Sequence, residues 1–130
     1  IDCKLKYMDS VINCMSRFNS TEATNRNIPK VVSNFKNELV YMSRSAIPGT
    51  KYGHSKKTYK QVCIYAFTKD ELNKFYEYGL ENGKSQLEWT EDIEVLRFVE
   101  LGMKVKMVET FGTTQAVDVP DDVDKVLELL

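Results

Sequence analysis

The alternation of apolar and polar positions divides the chain into short β-like runs first and alternating strands and helices later. The run SVINCM follows a polar, helix-like opening and predicts a strand. The runs IPKVVSNF and ELVYMSR are separated only by the polar pair KN, which favours an antiparallel hairpin or meander. Pro48 and Gly49 are expected to end its second strand.

A nearly continuous apolar run, QVCIYAF, opens the second half. Its pattern is typical of a strand buried on both faces of a parallel sheet that helices cover. The segment TKDE that follows predicts a capping box, with Thr68 as N-cap and Glu71 reaching back to it. We expect this helix to run to Tyr78 and to end at Gly79.

The remaining segments continue the alternation. A second helix is predicted from Leu87 to Leu101, ended by Gly102. The run KVKMVETF predicts a further strand, and QAVDV is consistent with a short strand end. The last segment, PDDVDKVLELL, predicts a helix with proline in its first turn. Strands that alternate with helices indicate an α/β layered fold.

Two carboxylates interrupt the apolar stripe of the second predicted helix. Glu91 and Glu94 fall at helical spacing between Leu87, Phe98 and Leu101. A carboxylate that is partly buried needs a partner. One interpretation pairs Glu94 with Arg97, three residues further on, or pairs either acid with a lysine, and the spacing favours it. The other interpretation is a carboxylate that accepts hydrogen bonds from substrate hydroxyls.

The polar stretch GTKYGHSKKTYK carries four lysines and the single histidine of the chain. A run of charge is usually a solvated loop, which is the favoured interpretation. The alternative is a basic funnel for an anionic ligand, and the length of the loop gives it some support.

Composition narrows the classes of function. The 130 residues suit one domain, and a net charge of −1 argues against a general nucleic-acid binder. Three scattered cysteines without a CxxC pair, together with one histidine, make a zinc site improbable. Free thiols suit a reducing compartment, and the chain has neither a membrane-length apolar run nor a signal-peptide core. We therefore expect a cytoplasmic protein, and we interpret the start without methionine as cut or processed.

Five motifs together resemble a known family. The motifs IPKVV, LVYMSRSAIPG, YKQVCIYAF, LEWTEDIEVLRFVELG and AVDVPDDVDKV occur in the order and spacing of the carboxyl-terminal half of sugar-acid cytidylyltransferases. The closest resemblance is to those that act on 3-deoxy-manno-octulosonate (Kdo), and it extends from Val11 onward. It implies the C-terminal part, over residues 1–130, of a Rossmann-like mixed sheet of the nucleotide-diphospho-sugar-transferase type, with flanking helices and an antiparallel hairpin.

The resemblance also implies a reaction. In this family the anomeric hydroxyl of a sugar acid attacks the α-phosphate of CTP, and pyrophosphate leaves. Such chemistry depends on positioning and on charge neutralisation by Mg²⁺ and basic groups. The expected substrates are CTP and an acidic sugar and the expected assembly is a homodimer, with neither nucleic acid nor a membrane as a partner.

The stretch AVDVPDDVDKVLELL contains the expected metal ligand. From the residues alone, Asp118 is either a helix cap or a metal ligand at the carboxyl end of a strand. The family's VD-x-P-x-D aspartate binds Mg²⁺, and Asp118 matches it, which makes it the expected catalytic residue. Asp121 and Asp122 are better explained by the helix dipole.

Four further positions are expected to bind the substrate. Arg44 matches the arginine of the SR motif and would pair with an anionic group, rather than forming a surface ion pair. Tyr65 matches a tyrosine that lines the sugar site, the alternative being an ordinary core tyrosine. Glu94 would face sugar hydroxyls, and Gln61 occupies the position before the apolar strand. Cys63 is expected to be a small buried filler.

Four departures from the family pattern qualify this prediction. Gln61 and Val95 stand where Kdo-specific members commonly have histidine and glutamine, so the substrate is expected to differ from plain Kdo. The glycine-rich loop that cradles the triphosphate is absent from these 130 residues, as is a second metal-binding aspartate. The alternatives that stay open are a non-catalytic binding or dimerisation module, with the hairpin as its surface, and a sialic-acid-type cytidylyltransferase.

Overall fold

A computed structural model of the chain describes residues 1–18, 22–51, 58–111 and 120–127. Its helices are α1 (Asp2–Lys6), α2 (Lys69–Asn82), α3 (Gln86–Glu91), α4 (Val95–Glu100) and α5 (Asp121–Leu127). Its strands are β1 (Val11–Arg17), β2 (Lys30–Ser33), β3 (Leu39–Ser43), β4 (Tyr59–Ala66) and β5 (Val105–Glu109). The strands form one mixed sheet in the order β3-β2-β4-β1-β5, and only β1 and β5 pair in parallel. The predicted α/β class is confirmed.

The hairpin β2–β3 is confirmed, and its turn explains why it forms. Asn34 accepts hydrogen bonds at its Oδ1 from the backbone N–H groups of Lys36 and Glu38, at 2.9 and 3.0 Å. Asn37 adopts a left-handed conformation with φ 56°, which asparagine tolerates better than most residues. An asparagine side chain that bonds the backbone ahead of it is a turn former, so the polar segment closes the hairpin.

The prediction of β4 as a strand of a parallel sheet, buried on both faces, is wrong. Both of its neighbours, β1 and β2, run antiparallel to it, and β2 pairs with it only at Tyr59 and Lys60. Ile64 is 58% exposed, and Cys63 is also exposed rather than a buried filler. An apolar run records an affinity for burial, but it does not specify which neighbours are available to cover it.

The hydrophobic core lies between the sheet and the segment around α4. Val11 and Met15 from β1, Met42 from β3 and Met107 from β5 pack in one cluster with Leu96 of α4. Phe98, also in α4, packs against Phe75 of α2 in a tilted contact with ring centroids 4.9 Å apart. The core therefore packs α4, and through Phe98 also α2, against the sheet.

Helix α2 begins as predicted but ends later. Both hydrogen bonds of the Thr68–Glu71 capping box are present, which confirms that prediction. The helix continues through Gly79 to Asn82, and Gly83, at φ 74°, ends it. A Cβ at Gly79 would lie 2.6 Å from Nη1 of Arg97. The glycine therefore serves close packing inside the helix, and the prediction that it ends the helix is wrong.

The single helix predicted from Leu87 to Leu101 is two helices. Asp92 is left-handed, with φ 52°, and separates α3 from α4. The apolar stripe that carried Glu91 and Glu94 on one helical face therefore does not exist. The Asp92 carboxylate accepts a hydrogen bond from Nζ of Lys84 at 2.5 Å. A short polar side chain is among the few that accept this backbone conformation.

The predicted Glu94–Arg97 pair is also wrong, because Arg97 pairs with Glu88. Arg97 donates from Nε and Nη2 to the two carboxylate oxygens of Glu88 at 2.6 and 2.8 Å. It also donates from Nη1 to the carbonyl oxygen of Phe75 at 2.9 Å. Both charged groups are buried, so this bidentate pair joins α2, α3 and α4.

The last helix is confirmed over the described residues as α5. The predicted strand end QAVDV lies outside the described residues. Within the described part of the chain, no helix has both the length and the apolar character that a membrane span requires.

Candidate functional site

A bulge in the sheet forms the first part of the candidate site. Asn13 of β1 pairs with Tyr65, whereas the next residue, Cys14, pairs with Val62, so two additional residues of β4 lie at this step. The Asn13 side chain is fully buried and donates from Nδ2 to the carbonyl oxygens of Val62 and Ile64, both at 3.1 Å. Bulges bend strands and redirect side chains, and they are frequent beside functional sites.

Two of the predicted site residues are joined at this bulge. Gln61 donates from Nε2 to the hydroxyl oxygen of Tyr65 at 2.9 Å and to Oδ1 of Asn13 at 3.3 Å. Gln61 and Tyr65 are both half-buried, so part of each side chain is accessible from solvent. Together with Asn13 they form a polar cluster in a sheet whose neighbouring positions are largely apolar.

Glu94 lies close enough to Tyr65 to affect it electrostatically. Burial raises the pKa of the Tyr65 hydroxyl above its ordinary value, and the nearby Cys63 and Glu94 raise that pKa further. The Tyr65 hydroxyl therefore keeps its proton at neutral pH and can act as a donor. Glu94 is exposed and immediately precedes α4, so its carboxylate is accessible. Gln61 and Tyr65 are thus in direct contact, and Glu94 is near enough to Tyr65 to raise its pKa.

Arg44 lies elsewhere, at the end of β3 beside the α3–α4 corner. Its guanidinium donates from Nε to the carbonyl oxygen of Glu91 at 2.6 Å and from Nη2 to that of Asp92 at 2.9 Å. Nη1 donates to the carbonyl oxygen of Arg26 at 3.1 Å. A guanidinium has five N–H donors, so two remain after these three bonds. Among the described contacts, none joins Arg44 to Gln61, Tyr65 or Glu94.

Glu91 has partners that the sequence did not reveal. Its carboxylate accepts hydrogen bonds from the Tyr41 hydroxyl at 3.0 Å, the Ser43 hydroxyl at 2.7 Å and the Arg44 backbone N–H at 2.9 Å. Burial alone would raise the pKa of Glu91, but these hydrogen bonds outweigh it and hold the pKa below its ordinary value. Glu91 therefore fastens α3 to β3, which explains a partly buried carboxylate without a substrate.

Several expectations fall outside the described residues. Asp118, the expected metal ligand, lies there, as does most of the lysine-rich loop, including His54, Lys56 and Lys57. Lys60, at the end of that loop, forms an ion pair with Glu22 at 2.5 Å. Among the described residues, no group of three or more His, Cys, Asp or Glu side chains could hold a metal ion.

Two other residues qualify the predicted site. Asn13 was missed, although an asparagine within the apolar run SVINCM is an anomaly, since a buried amide needs partners. Val95 is 1% exposed and belongs to the hydrophobic core. Val95 therefore departs from the family pattern as a residue of the hydrophobic core. Of the two departures at Gln61 and Val95, only Gln61 belongs to the polar cluster.

Comparison with known proteins gives consistent matches to one enzyme family. The chain is 38% identical over 112 residues to a 3-deoxy-manno-octulosonate cytidylyltransferase of Christiangramia forsetii, covering 85% of this chain and 44% of that protein. It is also 38% identical over 112 residues to the enzyme of the same name from Parabacteroides distasonis, covering 82% of this chain and 43% of that protein.

The fold matches as well. A solved structure of CMP:2-keto-3-deoxy-manno-octonic acid synthetase complexed with CTP superimposes with a TM-score of 0.85 at 27% identity. The match covers 98% of this chain and 52% of that protein. The resemblance to Kdo cytidylyltransferases is therefore confirmed. The chain spans less than half the length of the curated cytidylyltransferases it matches, and no family model matches it.

Proposed function

We propose that this chain is part of a CTP-dependent cytidylyltransferase for a 2-keto-3-deoxy sugar acid of the Kdo type. The reaction joins the anomeric oxygen of the sugar to the α-phosphorus of CTP, breaks the α–β phosphoanhydride bond and releases pyrophosphate. The main support is the match over 98% of the chain to a synthetase solved with CTP. The similarity to Kdo cytidylyltransferases from several bacteria adds to it.

The polar cluster of Asn13, Gln61 and Tyr65, together with Glu94, is the proposed sugar-binding part of the site. A sugar hydroxyl both donates and accepts hydrogen bonds, and Gln61, Tyr65 and Glu94 offer both kinds of partner within one region. The exposed Glu94 carboxylate accepts from hydroxyls, whereas the protonated Tyr65 hydroxyl can donate. Because hydrogen bonds to Asn13 and to each other hold Gln61 and Tyr65, the ligand meets preorganised partners at these two side chains.

Arg44 is proposed to bind an anionic group of the ligands with the two N–H donors that its backbone contacts leave. Its three bonds to carbonyl oxygens hold the guanidinium plane at the α3–α4 corner. A fixed guanidinium suits a carboxylate or phosphate because its donors are already oriented. The substrate's carboxylate is the proposed partner.

Mg²⁺ is proposed as the cofactor, with Asp118 as one ligand and as the catalytic residue. A carboxylate oxygen is the donor that this hard cation prefers. The proposal comes from the resemblance of VD-x-P-x-D, since Asp118 lies outside the described residues. When bound, the ion would supply charge neutralisation at the phosphates. The rest of the metal and triphosphate site is proposed to lie in the other half of a single domain.

The decisive experiment is turnover by the full-length gene product. Pyrophosphate release from CTP is measured with Kdo, other ulosonic acids and a sialic acid, each with Mg²⁺. We expect turnover with a Kdo-type acid. Preference for sialic acid would instead support the sialic-acid type, and absence of turnover with every sugar acid would favour a non-catalytic binding module.

The assembly is tested separately. A homodimer is proposed for the full-length enzyme, and sedimentation of the purified protein over a range of concentrations measures it. A monomer at every concentration would contradict this part of the proposal without affecting the reaction.

A further inference from the structure

The hydrogen bonds around Asn13 determine which atoms of Gln61 and Tyr65 face the site. Asn13 contacts two carbonyl oxygens, those of Val62 and Ile64, and carbonyl oxygens only accept. The amide group that faces them must therefore be the NH₂, with both of its hydrogens used. Oδ1 of Asn13 is consequently turned towards Gln61 and can only accept.

The orientation of Gln61 follows from that of Asn13. The Gln61 atom that faces Oδ1 of Asn13 at 3.3 Å must be a donor, so it is Nε2. The second hydrogen of Nε2 goes to the Tyr65 hydroxyl oxygen at 2.9 Å. Both donors of Gln61 are then used inside the protein, and among the described residues no donor reaches its Oε1.

The proton of Tyr65 is oriented by the same chain of bonds. Since its oxygen accepts from Gln61, the hydroxyl hydrogen must point away from Gln61. Tyr65 stays protonated at neutral pH, and its hydrogen lies on the side of the exposed Cys63, whose sulfur is within hydrogen-bonding reach of the hydroxyl. Sulfur is a weak acceptor, so a sugar oxygen on that side would take this donor in its place. Gln61 Oε1 and the Tyr65 O–H then form an acceptor and a donor on adjacent side chains.

We propose that Asn13 is a positioning residue that fixes this polarity, so that Gln61 Oε1 accepts from, and Tyr65 O–H donates to, one hydroxyl group of the sugar. This inference rests on the proposed function. A carbonyl, an ether oxygen or a fluorine at that place of the sugar would leave Gln61 Oε1 without a donor, and a hydrogen would leave both protein groups without a partner. The pair therefore selects for a hydroxyl.

Monodeoxyfluoro sugar acids test this selection in the full-length enzyme, because a C–F group can accept a hydrogen bond but cannot donate one to Gln61 Oε1. We expect kcat/KM to fall about tenfold or more for the one fluoro analogue in which fluorine replaces the selected hydroxyl. In Asn13→Leu the Gln61 amide can turn over and offer its NH₂ group to the fluorine, so the enzyme should lose most of this discrimination through KM for the sugar, with KM for CTP unchanged. Val11→Ala, a fully buried change in the same strand, is the control and should keep the discrimination.

A second variant guards against misfolding of Asn13→Leu. Gln61→Glu has nearly the same shape but no donor, so Tyr65 would turn its proton towards the new carboxylate and the site would present only acceptors. Discrimination against the same fluoro analogue should therefore persist here. If Asn13→Leu retains the wild-type discrimination, if Gln61→Glu loses it, or if the wild type shows none, the proposal is wrong.

A spectroscopic measurement separates this proposal from the proposed function. In the ¹⁵N-labelled full-length protein, both side-chain N–H signals of Gln61 should be protected from exchange and should lose protection in Asn13→Leu. If no sugar acid is turned over, the cytidylyltransferase assignment fails, and these signals still decide the role of Asn13. Signals that are unprotected in the wild type, or unchanged in Asn13→Leu, would overturn it.

Discussion

Glu91 shows how single side chains give the fold a dependence on pH. Three hydrogen bonds from β3 hold its pKa below the ordinary value of 4.5, which means that folding favours the ionised form. The stability that Glu91 contributes is therefore fully present above 4.5 and is lost as the pH falls through the lowered pKa of the folded state.

Glu91→Gln tests that dependence. An amide nitrogen cannot accept from Ser43 or Arg44, so the variant should have a lower free energy of unfolding at pH 7. The difference from the wild type should shrink as the pH falls below about 4.5, where the carboxylate is protonated in the unfolded chain. Urea unfolding between pH 3 and 7 measures it. Glu81→Gln, on the exposed surface of α2, is the control and should show no such trend.

Asp118→Asn distinguishes a metal ligand from a helix cap. Asparagine caps a helix about as well as aspartate, so the melting temperature should hardly change. It lacks the charge that Mg²⁺ prefers, so kcat of the full-length enzyme should fall by orders of magnitude, with partial rescue by excess Mg²⁺ or Mn²⁺. Asp122→Asn is the control and should keep its activity. A loss of stability at Asp118 with intact activity would support the capping interpretation.

At the scale of elements, the pair of Arg97 and Glu88 decides how α2, α3 and α4 meet. The guanidinium occupies the space where a Cβ on Gly79 would lie, and it stacks on Phe75 at 3.8 Å from the ring centroid. Because two bonds to the buried Glu88 carboxylate hold the guanidinium, it cannot move aside at little cost.

Gly79→Ala should therefore lower the stability of the protein, although alanine has a higher helix propensity than glycine. Alanine in a helix interior is normally about 1 kcal/mol more favourable than glycine, but the clash with Arg97 should make this variant less stable than the wild type. In an Arg97→Ala background the same change should be stabilising. A double-mutant cycle by urea unfolding of the full-length protein measures the coupling. Equal effects in both backgrounds would show that Arg97 does not impose the glycine.

At the scale of the whole molecule, the strands of the described residues form one sheet, in which some strands pair along most of their length and others only in part. β4 pairs with β1 along most of its length but with β2 only at Tyr59 and Lys60. The exposed Ile64 and Phe67 lie where that second pairing stops. This region is the expected contact for the rest of the proposed longer enzyme, since strand edges and apolar side chains favour burial.

Residues 1–130 on their own should therefore be inactive. They lack a glycine-rich phosphate loop and span less than half the length of the cytidylyltransferases they match. Positioning of the phosphates is a large part of this kind of catalysis. Pyrophosphate release from CTP and sugar acid should be undetectable with the purified 130-residue chain and clear with the full-length protein. Turnover by the 130-residue chain would contradict the proposal that it is only part of the enzyme.

The sequence by itself determined those elements that depend on contacts between residues close together in the chain. The hairpin β2–β3 and the capping box at Thr68 depend on contacts between residues a few positions apart, and the resemblance of ordered motifs was enough to place the family. Gln61, Tyr65 and Glu94 were also named from that resemblance. Their grouping agrees with it, although their roles stay predictions.

Only the tertiary structure decided which distant groups meet. The bulge that joins Asn13 to residues 62–65, the partnership of Glu91 with β3 and the choice of Glu88 by Arg97 all depend on packing. The spacing of apolar residues predicted one helix over residues 87–101 because this spacing carries no information about Arg44. Arg44 is distant in sequence, and its guanidinium donates to the carbonyl oxygens at the left-handed corner between α3 and α4. A buried polar group is stabilised by whatever partner the fold brings within about 3 Å, and spacing along the chain does not contain that information.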